Sequence, residues 1–180
     1  MIEDKLLIWK FKRGGSDALC RIYEKYKDNM LRLASALLND TAAAEDIVHD
    51  CFVYFAQSSQ RLKTGGNLKS YLAASVANRA RNWNRARKRQ ETTGLNEAGS
   101  IISGLKRPEQ WIIYDEQLRQ LNNALAQLSY QQREVIILHL QGEMKFKAIA
   151  ELQDVSINTV QSRYRYGLDK LRSVLDSEAE

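Results

Sequence analysis

Met144-Lys-Phe-Lys-Ala-Ile-Ala-Glu-Leu-Gln-Asp-Val-Ser-Ile-Asn-Thr-Val-Gln-Ser-Arg163, continuing as Tyr-Arg-Tyr-Gly-Leu-Asp-Lys-Leu-Arg172, decides how this chain is read. The spacing predicts a short helix, a turn and a longer helix. Phe146, Ile149, Ala150 and Leu152 supply the apolar side of the first, and the small Ala150 lets a second helix cross close by. Gln153-Asp154-Val155 forms the turn, where Asp tolerates a left-handed backbone better than most residues. Ser156 is placed as the next N-cap, and Ile157, Val160, Tyr164, Leu168, Leu171 and Leu175 recur every three or four residues as one inward stripe. With that stripe inward, Asn158, Thr159, Ser162, Arg165 and Tyr166 turn outward, flanked by Gln161 and Arg163. A helix presenting amides, hydroxyls and guanidinium groups in this way has the layout of a recognition helix, and DNA is the implied partner.

Two packed helices with a solvated polar face would show the same periodicity, so the context matters. Upstream, Leu128-Ser-Tyr-Gln-Gln-Arg-Glu-Val-Ile-Ile-Leu138 opens with Ser129 and Gln132 at capping-box spacing and runs toward Gly142, a helix stop. Together these segments predict a compact helical unit ending in a helix-turn-helix.

At 180 residues with 44% hydrophobic content the chain can build one core or two small ones. No apolar run approaches the ~20 residues that span a bilayer, which predicts no membrane insertion. The start, Met1-Ile-Glu-Asp-Lys-Leu-Leu-Ile-Trp9, is too short and too acidic for a signal peptide, so a cytoplasmic location is expected. Cys20 and Cys51 have no paired spacing and are expected to be free and buried. His49 and His139 lack neighbours suited to a metal, and no nucleophile-base pair, phosphate loop or carboxylate pair stands out. Neither a metal, a cofactor nor an enzymatic activity is therefore expected.

Strand signals are nearly absent, and the fold class expected is all-α. One helix is expected from Asp4 to Lys12, and a second over Asp17 to Leu38 behind an N-cap at Ser16. A third should run from Ala42 to Gln60 behind Thr41, and a fourth should follow the Thr64-Gly-Gly-Asn67 break and reach about Arg89. These four make one module, residues 1–90. Residues 91–107 have the Gly, Ser, Thr and Asn content of a linker. A second module, 108–180, starts at Pro108 and carries Trp111, Tyr114, Leu118, Leu121, Leu125 and Leu128 at helical spacing.

Charge is distributed unevenly. Net charge is +5, yet between Asp50 and Glu91 there is no acid while nine Lys and Arg occur in forty residues. On the fourth helix, with Leu72, Val76, Ala80 and Trp83 inward, the opposite side gathers Tyr71, Ser75, Asn78, Arg81, Asn82, Arg85 and Arg89. Arginines interleaved with amides, a hydroxyl and an aromatic suit both phosphates and bases. The third helix exposes Glu45, Asp46, His49 and Asp50, which on its own is ordinary stabilisation of a helix start by carboxylates.

With both modules in view, the chain resembles the extracytoplasmic-function (ECF) sigma factors of the bacterial sigma-70 family. The resemblance rests on Ala44-Glu-Asp-Ile-Val-His-Asp-Cys-Phe52 and on Leu68-Lys-Ser-Tyr-Leu-Ala-Ala-Ser-Val-Ala-Asn-Arg79 with the basic cluster behind it. In the second half it rests on Ala124-Leu-Ala-Gln-Leu-Ser129, Arg133-Glu-Val-Ile-Ile-Leu138, Ala148-Ile-Ala-Glu151 and Thr159-Val-Gln-Ser-Arg163. It implies a region 2-like and a region 4-like domain that bind core RNA polymerase through its β′ clamp helices and β flap. Glu45, Asp46, His49 and Asp50 would meet the clamp. Tyr71, Asn78, Arg81, Asn82, Arg85 and Arg89, with Asn67 in the preceding loop, would read and open the −10 element. Lys145, Lys147, Asn158, Thr159, Gln161, Ser162, Arg163, Arg165 and Tyr166 would bind the −35 element. An anti-sigma factor is an expected partner besides promoter DNA. His49 stands where the family usually has Gln, Asn82 where Asp is frequent, Asp154 where Gly commonly makes the turn, and Gln161 and Tyr166 where basic residues are common; the weaker positive charge of the recognition helix implies a promoter preference of its own. A helix-turn-helix regulator that is not a sigma subunit is the alternative, but it leaves the acidic face and the acid-free stretch without a role.

Overall fold

The computed structural model describes residues 2–58, 67–92 and 120–178, and every regular element among them is helical. The elements are α1 (Ile2–Lys12), α2 (Ser16–Leu38), α3 (Thr41–Gln57), α4 (Leu68–Thr92), α5 (Tyr130–Leu140), α6 (Phe146–Gln153) and α7 (Ile157–Glu178). A helical stretch over residues 120–126 precedes α5. The expected linker after residue 92, the loop residues Thr64 to Gly66 and the start at Pro108 lie outside the described residues.

In the first module α2 is the central rod, packed against α1, α3 and α4. It can touch all three because Ala18, Ile22, Tyr26, Met30, Leu33, Ala34 and Leu37 recur along it as buried positions. Ala73, Ala77 and Ala80 are fully buried along α4, and their small size lets that helix lie close to its neighbours. Beyond Ala80, α4 becomes mostly polar and basic, with Trp83 still packed on the core.

Local chemistry sets the ends. α2 stops at Asn39, which takes a left-handed conformation (φ 53°) while its N–H donates to Ser35 O. α3 is capped by Asp40, whose carboxylate accepts from the Ala43 N–H, and not by Thr41. Asp wins because its side chain sits one residue earlier, where it reaches the third N–H of the helix. Ser16 is likewise the first helical residue of α2 and not its cap; Gly15 occupies that position without a side-chain bond. α3 ends at Gln57, three residues before the expected Gln60.

The Ser129–Gln132 capping box forms as the spacing predicts, with the Gln132 N–H donating to Ser129 Oγ and the Ser129 N–H to Gln132 Oε1. Asp154 holds the helix-turn-helix corner at φ 53°, ψ 51°, and Ser156 Oγ accepts from the Thr159 N–H at the start of α7. An aromatic trio staples α5, α6 and α7: His139 stacks on Phe146 at 4.3 Å, and Tyr164 meets both rings edge-on. His139 Nδ1 lies 2.9 Å from Met144 O; a carbonyl only accepts, so Nδ1 carries the proton. Gly167 belongs to the same packing. A Cβ there would come within 2.8 Å of Ile136 Cδ1 and 3.2 Å of Gln132 Cβ, so α7 crosses α5 at a distance only glycine allows.

The two halves share one apolar cluster, with α5 packed on both α2 and α4. Three departures from the expected burial follow from the packing. Cys20 is exposed while Cys51 is buried. Ile157 and Leu175, at the two ends of the α7 stripe, are exposed because α5 and α6 cover only its middle. Trp83 is half-buried, with the Arg87 guanidinium 5.3 Å above its ring.

Candidate nucleic-acid and polymerase interfaces

α3 presents its acidic face as the pattern demands. Ala44, Ile47, Val48, Cys51 and Phe52 are buried, so Glu45, Asp46, His49 and Asp50 on the opposite side are exposed. Tyr54 and Val53 add exposed apolar surface beside them. Asp50 also meets Arg79 of α4 at 3.3 Å, and that guanidinium lies over the Tyr54 ring. Burial raises the Cys51 thiol above its usual range, which makes it an inert packing group beneath this face.

The exposed positions on α4 include Tyr71, Asn78, Asn82, Arg85 and Arg89, with Asn67 exposed at the head of the helix. Asn67 Oδ1 accepts from the Lys69 and Ser70 N–H groups and so acts as the cap of α4. Successive steps of seven, four, three and four residues keep the five helical side chains in one line along about five turns of helix. Ser75 is half-buried beneath the line.

Arg81 is the exception. At 100° per residue it lies roughly 80° from that line, and it turns to the second module. Its Nη2 forms a 2.9 Å ion pair with Glu134 of α5, and its Nη1 donates to Leu152 O at 3.2 Å. Glu134 is 2% exposed and is the organising carboxylate of the contact. It also accepts from Tyr130 Oη at 3.2 Å and from Gln153 Nε2 at 2.6 Å. Gln153 Oε1 in turn accepts from Arg163 of α7 at 2.7 Å. A continuous set of hydrogen bonds thus joins Arg81 on one proposed DNA face to Arg163 on the other. Burial and the Glu134 charge push the Tyr130 phenol well above its usual range, so it stays a neutral donor.

A second contact closes the other end of the junction. Lys69 pairs with Glu143 at 2.7 Å, and Ser70 Oγ donates to the Gly142 and Glu143 carbonyls at 3.3 Å. The Lys69 hydrogen bond holds the Glu143 carboxyl below its ordinary range. A Cβ on Gly142 would sit 2.7 Å from Leu138 O and 2.9 Å from Ala73 Cβ, so the backbone of one half lies directly on α4 of the other.

On α6 and α7, Lys145, Lys147, Asn158, Gln161, Arg165 and Tyr166 are exposed. Thr159 and Ser162, expected on the outer face, and Arg163, expected on its flank, are half-buried. Thr159 Oγ1 is held by Ser156 Oγ at 2.9 Å, and Arg163 is drawn into the Glu134 network. Arg165 stacks its guanidinium 5.0 Å over Tyr166, forming an exposed pair.

Glu134, Gly142 and Glu143 carry the junction; sequence patterns marked Gly142 only as a helix stop and gave none of the three a place between the halves. The available signal was Glu134 itself, the one carboxylate of its helix and adjacent to the apolar run Val135–Leu138, and it does not say which arginine it meets.

Among the described residues no helix is long and apolar enough to cross a membrane. The chain matches two family models in order: Sigma-70 region 2 over residues 22–90 and Sigma-70, region 4 over residues 118–171. It is 24% identical to the ECF RNA polymerase sigma factor SigW of Bacillus subtilis over 181 residues, covering 95% of this chain and 96% of that one. It is 24% identical to the RNA polymerase sigma factor CarQ of Myxococcus xanthus, covering 92% and 94%. Among solved structures, the fold is similar to CnrH in its complex with the cytosolic domain of CnrY, with a TM-score of 0.69, 18% identity and coverage of 97% of this chain and 98% of that one. It is also similar to the sigma factor RpoE of Bartonella quintana in complex with the anti-sigma factor NepR, with a TM-score of 0.65, 26% identity and coverage of 87% and 97%. Two sigma-70 regions in order, on a helical frame shared with such proteins, make this chain an ECF-type member of the sigma-70 family, a sigma factor that directs transcription initiation.

Proposed function

We propose that Glu45, Asp46, His49 and Asp50 on α3 dock on the β′ clamp helices of core RNA polymerase, while the exposed line on α4 captures the −10 element. Tyr71, Asn78, Asn82, Arg85 and Arg89, with Asn67 at the helix head, form that surface. The observation that carries this reading is the line itself: five exposed side chains in register, arginines among amides and an aromatic, and no carboxylate between them. Opening a base pair costs a few kcal/mol of unstacking, which captured bases and held phosphates offset. Lys145 and Lys147 position phosphates of the −35 element, and Asn158, Gln161, Arg165 and Tyr166 reach its base edges, with contact to the β flap from the same module. Polymerase supplies the catalysis, in the cytoplasm.

The modules are 1–90 and 108–180, tethered by 91–107. Arg81 and Arg163 reach DNA only once the Glu134 network opens, so promoter binding separates the two halves. A protein that holds the halves together suits the role of an anti-sigma factor; the relatives CnrH and RpoE are each solved with a partner bound. Run-off transcription with purified core enzyme on a promoter library tests the reading. Promoter-specific transcripts dependent on this chain are expected. Intact binding to free DNA without any transcript would overturn it in favour of a regulator.

A further inference from the structure

α1 is apolar on two opposite sides, and only one of them meets the bundle. Leu7 and Ile8 are buried and Phe11 packs on the core, stacked 5.7 Å from Phe55. At 100° per residue, Ile2, Leu6 and Trp9 lie on the far side, and they are 87%, 50% and 48% exposed. Large apolar side chains grouped on one surface mark an interaction site, where singly scattered ones do not.

The surroundings of this stripe are basic. Lys5 and Lys10 flank it on either side, and the Arg13 guanidinium lies 4.0 Å over the Trp9 ring at its end. The acids of α1 face elsewhere: Asp4 is buried against Lys25 and Tyr26, and Glu3 pairs with Lys25. Next to Trp9 a concave cleft of about 400 Å³ runs between α1 and the start of α2, lined by Leu7, Trp9, Lys10, Arg13 and Arg21, with Asp17 its one acid.

We propose that this face is a docking site for an acidic amphipathic helix of a partner protein. Its apolar side chains pack on Ile2, Leu6 and Trp9, and its Asp and Glu residues meet Lys5, Lys10 and Arg13. This is the helix-in-groove mode, in which apolar anchors recur at three- and four-residue spacing. Charge disfavours a second copy of the chain as the occupant, because two-fold pairing brings together two copies of the same patch, which is basic at Lys5, Lys10 and Arg13. The cleft argues against a bilayer, whose flat surface would leave it unfilled. None of these residues belongs to the α3 acidic face or the α4 line, so a partner held here leaves both available.

The test uses the full chain and a displayed library of amphipathic helices with a constant Leu stripe and flanking positions varied among Glu, Lys, Gln and Ser. Selection is expected to enrich Glu at the flanks. The winning peptide, synthesised and labelled, should lose at least tenfold in Kd against Leu6→Gln/Trp9→Gln and against Lys10→Glu/Arg13→Glu, both of exposed residues and both checked for an unchanged melting temperature. Recovery of binding by a Lys-flanked version on the charge-reversed protein would establish the pairing. The proposal is overturned if no peptide is enriched, if the flanks show no Glu preference, or if the winners ignore the Leu6 and Trp9 changes. It is also overturned if those changes instead abolish sedimentation with phosphatidylserine vesicles or abolish a dimer.

Discussion

Replacing Glu134 by Gln should loosen the junction between the two halves of the molecule, and the size of the effect can be worked from its contacts. The carboxylate is 2% exposed and accepts from Arg81, Tyr130 and Gln153. Breaking a buried ion pair by removing one partner costs about 3–5 kcal/mol when the remaining charge is trapped. Arg81 is not trapped: its side chain is 22% exposed and can swing to water along α4. The cost therefore falls toward the ~1.5–3 kcal/mol of hydrogen bonds to a charged group. Taking ~2 kcal/mol, a chain of this size should melt roughly 4–8 °C lower. Because Glu134 also holds Gln153 within its own module, the single substitution does not isolate the junction. A double-mutant cycle of Glu134→Gln with Arg81→Ala, followed by thermal and urea unfolding, does, and a coupling of ~1–2 kcal/mol is expected for groups in direct contact. A chain whose halves are docked by this pair should also gain promoter binding in the Glu134→Gln form, by about 5–30-fold for that coupling, since the binding-competent fraction rises. Additive single effects, with coupling under ~0.5 kcal/mol, would refute the pair as a clasp between the halves.

Arg85→Ala should weaken promoter opening more than core-polymerase binding and lower the salt dependence of promoter binding by about one phosphate contact; equal losses in both assays would count against its place on the −10 surface. The Asp4–Lys25–Tyr26 cluster predicts two pH limits. Burial and the hydrogen bond to Asp4 raise the Tyr26 phenol to about 12, so its contribution is complete below the unfolded value of ~10 and is lost as pH rises from there toward about 12. Tyr26→Phe should flatten that alkaline limb of the melting profile. Burial works to raise the Asp4 carboxyl, but hydrogen bonds from Lys25 and Tyr26 outweigh it and the net shift is downward. Its contribution is therefore present above ~4 and fades as pH falls through the lowered value, a limb that Asp4→Asn should remove. Asp40→Ala should lower stability by about 1 kcal/mol through loss of the α3 cap, whereas Thr41→Ala should be nearly silent.

How much of this was legible in the chain depends on the range of the interaction involved. The helix-turn-helix, the Ser129–Gln132 box, the Asp154 corner and the acidic face of α3 are written in residues a few positions apart, where helical periodicity and capping act. Asp40, one residue before the expected cap, shows the limit even there, since two adjacent oxygen-bearing side chains compete for one N–H and backbone geometry decides. What Arg81 meets was not legible. Helical spacing alone sets it roughly 80° off the line that carries Arg85, but does not say that it pairs with a carboxylate 53 positions away. The same holds for Ile2, Leu6 and Trp9: the chain shows them as apolar, but only the placement of the bundle on the opposite side of α1 leaves them exposed.

The sequence by itself therefore determined an all-helical chain with a basic, acid-free helix and a helix-turn-helix, because helix formation, capping and amphipathic patterning are set by neighbours in the chain. The tertiary structure alone decided that the two halves meet through Glu134, Gly142 and Glu143, and that Arg81 and Arg163 are drawn into that contact. Those outcomes depend on which surfaces come within about 3 Å of each other after folding, the range over which a charge-assisted hydrogen bond forms.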